Sequence, residues 1–189
     1  MDPITLEVVQ ESFISIVREM RANLIRTAYS SILYEARDFS CVIMDPQGQL
    51  IAQAEANPSH VFPIPWSVKL MFERFGKDIH SGDIFLHNDP YTGGTHLNDV
   101  ALIFPVFVEE KFTFFPVIRA HWGDVGGMTP GSLSGGSKEI FQEGIRIPIL
   151  KVYESGRPNQ GVLDLLFSNM RFPYEREGDF QAIIGTCRI

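Results

Sequence analysis

The chain has 189 residues, of which 44% are apolar and 21% charged, and a formal net charge of −7. That size suits one domain, or one large and one small lobe, and 15 phenylalanines supply ample material for a core. The acidic balance, with no dense basic block, excludes a nucleic-acid binder, because phosphate contact needs clustered Lys and Arg.

Residues 2–30 read as one long helix. Asp2 suits its cap and Pro3 its first position, and Ile4, Val8, Phe13, Ile16, Val17, Met20 and Leu24 recur at helical spacing. This stripe is a core or subunit contact. Phe39 to Met44 and Gln49 to Gln53 are β-type runs joined by the turn Asp45-Pro46-Gln47-Gly48, which predicts a hairpin. Residues 54–64 read as a loop containing His60, and Trp66 to Phe75 as a short helix closed by Gly76.

Ile84 to Leu86 is a predicted strand. Val100 to Val108 and Lys111 to Ala120 are two more, joined at Glu109-Glu110, with Pro105 and Pro116 implying edge-like or bulged strands. Residues 123–137, rich in Gly and Ser, read as a flexible loop or lid, or as an anion cradle built from backbone N–H groups. Phe141 to Val152 is expected to be partly extended and Val162 to Arg171 helical. A last element is expected to start near Gly178, with Asp179 as its cap. The fold class is therefore α+β: a long N-terminal helix, then antiparallel hairpins with short helices.

Cys41 and Cys187 fit neither a zinc spacing nor a disulfide framework and read as buried or free thiols of a reducing compartment. The N-terminus shows no basic segment leading into an apolar one, so no signal peptide is expected. The longest apolar run, Val100 to Val108, is too short for a membrane span and contains Pro105. A soluble, cytoplasmic protein without membrane contact is the expectation.

Chemistry concentrates in two segments. Leu86-His87-Asn88-Asp89-Pro90-Tyr91-Thr92-Gly93-Gly94-Thr95-His96-Leu97-Asn98-Asp99 and His121-Trp122-Gly123-Asp124 hold three of the five histidines. A hairpin turning at Glu109-Glu110 pairs residues whose numbers total about 219, which sets His121 against Asn98. A register error of one or two still leaves His121 beside His96 or Asp99, since neighbouring strands lie roughly 5 Å apart. His96, Asp99 and His121 thus form a candidate two-histidine, one-carboxylate site for zinc, manganese or iron(II). Its open positions could hold water or polarise a substrate oxygen. Asp89 and Asp124 are candidate general bases, further ligands or groups that orient the ligands. Spacing alone equally suits a polar loop whose Asp and His side chains only cap turns.

The remaining polar residues read as structural. His60 reads as a surface or packed histidine that could enter a site, His80 as a turn residue and His87 as a semi-buried imidazole. Glu143 to Pro148 and Asn169-Met170-Arg171 could orient substrate, but read rather as makers of internal salt bridges. No Walker-type loop and no Gly-x-Ser-x-Gly elbow occurs, which leaves ATP binding and covalent hydrolase chemistry unsupported.

Taken together, these motifs resemble the hydantoinase B/oxoprolinase family. The resemblance runs through Asp2-Pro3-Ile4, Glu35-Ala36-Arg37-Asp38-Phe39-Ser40, Ala52-Gln53, His60, Gly82-Asp83 and the long run from His87 to Asp99. It continues through His121 to Gly127, Pro130-Gly131-Ser132, Glu143-Gly144 and Asn169-Met170-Arg171. The resemblance implies a divalent metal, zinc or manganese, on His96, Asp99 and His121. It also implies an A-type partner that carries ATP and activates the substrate, hence a hetero-oligomer. The expected reaction is ATP-dependent opening of a cyclic amide such as a hydantoin, oxoproline or another lactam, with Asp124 or Asp89 accepting the proton. ATP- and bicarbonate-dependent carboxylation of a ketone, a non-catalytic assembly piece and a regulatory metal-binding module are the alternatives. B-type chains of the family run to several hundred residues, so residues 1–189 are expected to be the N-terminal portion of such a chain.

Overall fold

The computed structural model describes residues 2–189. Asp2 caps helix α1 (Pro3–Thr27), its carboxylate accepting the N–H groups of Ile4 and Thr5 at 3.1 and 3.0 Å. The helix ends three residues earlier than expected because Ala28 turns extended, and a single turn, α2 (Ser31–Tyr34), follows. Strands β1 (Phe39–Met44) and β2 (Leu50–Gln53) form the predicted hairpin. Asp45 organises its turn by accepting from the N–H groups of Gln47 and Gln49.

The expected loop over 54–64 contains a helical turn, α3 (Pro58–Val61), and the next helix, α4 (Ile64–Phe75), ends at Gly76 with φ +51°. Then come β3 (Ile84–His87), a 3₁₀ turn over Pro90–Thr92, β4 (Asp99–Ile103), β5 (Val106–Val108) and β6 (Lys111–His121). A second 3₁₀ turn (Ile140–Gln142), β7 (Leu150–Glu154), β8 (Arg157–Pro158), α5 (Gln160–Ser168) and α6 (Pro173–Thr186) complete the order.

All strand pairs are antiparallel, in the order β2-β1-β6-β4-β3-β7-β8, with β5 pairing the outer part of β6. Alternation along the strands feeds two cores. Cys41, Ile43, Ile118 and Ala120 face α1, α5 and α6, while Val42, Met44, Phe85, Ile103 and Val117 face Ile64, Val68 and Met71 of α4. The result is a sheet with helices on both faces, an α+β arrangement. The helical stripe of α1 is only half used: Val17, Met20 and Leu24 are buried, whereas Ile4, Val8 and Ile16 are exposed. Among the described residues, no helix is long and apolar enough to cross a membrane.

Several expectations are corrected. The single strand expected over 100–108 is two strands broken at Phe104-Pro105, and β6 is central rather than edge-like. The two prolines share one break: the Phe104 N–H donates to the Pro116 carbonyl at 3.1 Å, and Pro116 has no N–H to return. The last element starts at Pro173, not Gly178, because the chain before it is already helical. Asp179 lies in mid-helix and fully buried, where its carboxylate accepts the N–H groups of Tyr29 and Ser30 at 2.8 and 3.0 Å and so closes the α1–α2 junction. Of the segment 141–152 only Leu150 onward is strand.

The β5–β6 turn holds Glu109 and Glu110 at φ +49° and +61°, the left-handed region that a two-residue hairpin turn demands. Side chains resist that region by about 1–2 kcal/mol per residue. Replacing the pair with Asn-Gly (Glu109→Asn with Glu110→Gly) is expected to stabilise the chain by about 1–2 kcal/mol, read as a raised urea midpoint. An unchanged or lowered midpoint would show that the turn is not strained.

Candidate metal centre

The β4–β6 pairing builds the centre. A register shift between Val106 and Phe107 sets Asp99, not Asn98, directly opposite His121. The two residues lie on one face of adjacent strands, and His121 Nδ1 sits 3.1 Å from Asp99 Oδ1. His96 reaches the same oxygen from the preceding turn: the Asp99 N–H donates to the His96 carbonyl at 3.0 Å, and His96 Nε2 lies 3.1 Å from Oδ1. That turn is held close to the body of the protein. Asn88 donates to the Leu97 carbonyl at 2.7 Å, and any side chain at Gly94 would strike the backbone of Asn88.

The candidate ligand atoms of His96, Asp99 and His121 all lie within 4.8 Å of one another. Two imidazoles and a carboxylate suit zinc, manganese or iron(II) alike. The Thr95 hydroxyl donates to the second Asp99 oxygen at 2.5 Å. Asp99 is buried, which disfavours its charge. Hydrogen bonds with His121, His60, His96 and Thr95 outweigh the burial and hold its carboxyl far below the usual carboxylate range. The Asp99 contact in turn raises the pKa of His96 against its own partial burial.

Two residues join this centre that spacing did not assign to it. His60, read as a surface or packed residue, is buried on α3 with Nε2 3.4 Å from Asp99 Oδ1. Asp38, just before β1, lies 3.6 Å from His60 Nε2 and 3.8 Å from His121 Nδ1, and its carbonyl accepts the His121 N–H. Asp38 stands in one of the segments that carry the resemblance. Its approach to His121 follows from the β1–β6 pairing, which runs from Phe39 opposite Ala120.

Asp124 and Asp89 have other partners. Asp124 is buried and accepts the N–H groups of Gly126 and Gly131, both at 2.9 Å, and a guanidinium N–H of Arg171 at 3.0 Å. Burial opposes its charge, but these bonds prevail and keep its pKa below the ordinary value. Arg171 also donates to the carbonyls of Gly126, Gly127 and Thr129. The Gly/Ser loop, expected to be flexible, is therefore cross-linked at its first half, and its Gly126 and Gly131 N–H groups hold the Asp124 carboxylate. Asp89 accepts the Tyr91 N–H at 3.1 Å and faces Arg146 at 3.6 Å, a turn cap with an internal ion pair.

Comparison with known proteins agrees with the resemblance. The family model described as Hydantoinase B/oxoprolinase matches residues 2–189, and the chain belongs to that family. It is 35% identical to the beta chain of the caprolactamase of Pseudomonas jessenii, over all of this chain and 32% of that one. It is 36% identical to the B chain of a putative D-/L-hydantoinase of a Pseudomonas species, over all of this chain and 33% of that one. The crystal structure of the ATP-dependent caprolactamase from P. jessenii superposes with a TM-score of 0.94 at 36% identity, covering 100% of this chain and 32% of that one. A nucleotide-free acetone carboxylase shares the fold alone, with a TM-score of 0.92 at 22% identity, over 99% of this chain and 25% of that one. The chain thus spans about a third of the length of the curated relatives it matches.

His87, on β3 behind the centre, is fully buried between the hydroxyls of Ser67 and Thr92 at 2.9 and 3.0 Å. Burial and the nearby Arg119 charge push its pKa down to about 4. A histidine whose folded pKa is depressed is kept neutral by folding while the unfolded chain takes up a proton. Its contribution is full above the unfolded value of about 6.5 and is lost as pH falls from there towards 4. Urea unfolding of wild type and His87→Gln at pH 7 and pH 4.5 is expected to show roughly 2–3 kcal/mol more acid loss in the wild type. Equal losses would mean that His87 is not the group responsible.

Proposed function

We propose that this chain supplies the divalent-metal site of an ATP-dependent cyclic-amide hydrolase, as the N-terminal portion of a hydantoinase B-type chain. The observation that carries the reading is the convergence of His96, Asp99 and His121 in a chain of this family. In this reading those three residues hold a zinc or manganese ion, and ATP sits on an A-type partner, giving a hetero-oligomer. When bound, the metal would supply Lewis acidity toward a substrate oxygen or a water.

The protein's own groups supply the rest. Asp99 stays ionised under its hydrogen bonds and so remains available as an anionic ligand at neutral pH. His60 and Thr95 fix the Asp99 carboxylate from two further sides. Asp124 and Asp89, expected from the sequence as proton acceptors, hold the Gly/Ser loop and the Pro90 turn in this reading. Proton acceptance passes to Asp38, whose side chain is 37% exposed beside His60 and His121.

Elemental analysis of the purified chain is expected to find about one metal ion per chain, lost in a His96→Ala/His121→Ala double variant. With an A-type partner and ATP, a panel of hydantoin, oxoproline and caprolactam is expected to show ring opening without bicarbonate. Asp38→Asn is expected to lower kcat about 10²-fold or more while leaving the metal in place. Turnover of a ketone that requires bicarbonate would replace the hydrolase reading with the carboxylase one. Partner binding without any turnover would leave an assembly role.

A further inference from the structure

A fully buried arginine, Arg119, lies on β6 two residues before His121 and on the same face of the sheet. Its hydrogen bonds go to two carbonyls and a hydroxyl rather than to a carboxylate. Nη1 donates to the His60 carbonyl at 3.4 Å, and Nη2 to Ser67 Oγ at 2.8 Å and the Gly93 carbonyl at 3.0 Å. Burying a guanidinium is costly unless its donors are used; here the two terminal nitrogens are used, mostly on backbone, while Nε is buried without a partner.

The acceptors belong to the segments that deliver the two histidines not borne on strands. His60 rides on α3, and Gly93 opens the turn that ends in His96. Gly93 has φ +113° and lies so close to α4 that an added Cβ would fall 2.8 Å from the Ser67 nitrogen. Ser67, on α4, accepts from Arg119 and lies 2.9 Å from both the Gly93 carbonyl and His87 Nδ1. His87 Nε2 lies 3.0 Å from the Thr92 hydroxyl, which brings the 3₁₀ turn into the same network. One planar fork therefore ties α3, α4 and the Gly93 turn to the strand that carries His121.

We propose that Arg119 is the positioning residue of the metal centre, setting His60 and His96 relative to the strand-borne pair Asp99 and His121. This proposal rests on the metal reading of that centre. A lysine keeps the charge but offers a single ammonium, which cannot span three acceptors in the geometry of the fork.

The test is titration of the metal-free chain with Zn(II), by competition against a chromophoric chelator, and with Co(II), by its d–d spectrum. Wild type is compared with Arg119→Lys, Ser67→Ala and, as a control, Val117→Ala from the same face of β6. Arg119→Lys is expected to bind zinc 10- to 100-fold more weakly and to change the Co(II) spectrum. Ser67→Ala is expected to do the same more mildly, whereas Val117→Ala loses stability with affinity and spectrum unchanged. A folded Arg119→Lys chain with wild-type affinity and spectrum would overturn the proposal. If that variant does not fold, Ser67→Ala decides: wild-type behaviour overturns the proposal and weakened binding with an altered spectrum supports it. A wild type that takes up neither metal overturns the metal reading and this proposal with it, whereas metal-binding wild type beside unaffected variants sinks only the role of Arg119.

Discussion

The antiparallel pairing of β4 with β6 is the constraint on which the rest of the centre depends. It places the Asp99 carboxylate opposite His121 on a buried face, and a buried charge must be compensated by specific partners. His121 answers from the facing strand, His96 from the turn before β4, and His60 and Thr95 from either side. Removing the carboxylate's partners would leave an uncompensated buried charge, which costs several kcal/mol. The pairing in turn rests on the break at Phe104-Pro105. There the ladder loses the bond that Pro116 cannot donate, and just beyond it, between Val106 and Phe107, the register shifts.

Around that pair the protein uses backbone carbonyls and guanidinium groups as fasteners. Arg171 gathers three carbonyls and the Asp124 carboxylate of the Gly/Ser loop, and Arg119 gathers the carbonyls of His60 and Gly93. Loops rich in glycine lose more backbone freedom on ordering than others, so an irregular segment of this length needs such ties to hold one shape. Their effect is to tie the Gly/Ser loop, α3 and the Gly93 turn to the body of the protein.

Much of this was legible in the residues. The α1 stripe, the β1–β2 hairpin with its Asp-Pro-Gln-Gly turn, and the Glu109-Glu110 turn all follow from local chemistry. The proximity of His96, Asp99 and His121 followed from the hairpin register even though the register itself was off by one. The irregularity that corrects it lies beside two prolines that meet across strands, a relation that neither proline announces alone. His60 was harder to place because a proline-rich segment reads as loop, while a single helical turn capped by Asn57 turns the imidazole inward. Asp38 reaches the centre only through the β1–β6 pairing, and Arg119, though two residues from His121, finds its acceptors only once α3 and α4 close over the sheet, relations that are non-local. Asp179 looked like a helix cap but lies within α6, and its carboxylate serves a junction 149 residues earlier in the chain.

That last contact bears on how the protein is made. The donors of Tyr29 and Ser30 find their acceptor only when residue 179 is available, and β1 finds its central neighbour only when β6 exists. A ribosome delivering this chain at about 5–20 residues per second leaves the first helix and hairpin waiting many seconds for both. During that interval the apolar side of α1 and the open edge of β1 are surfaces that chaperones would shield, because long-range pairing cannot begin before its second strand is synthesised.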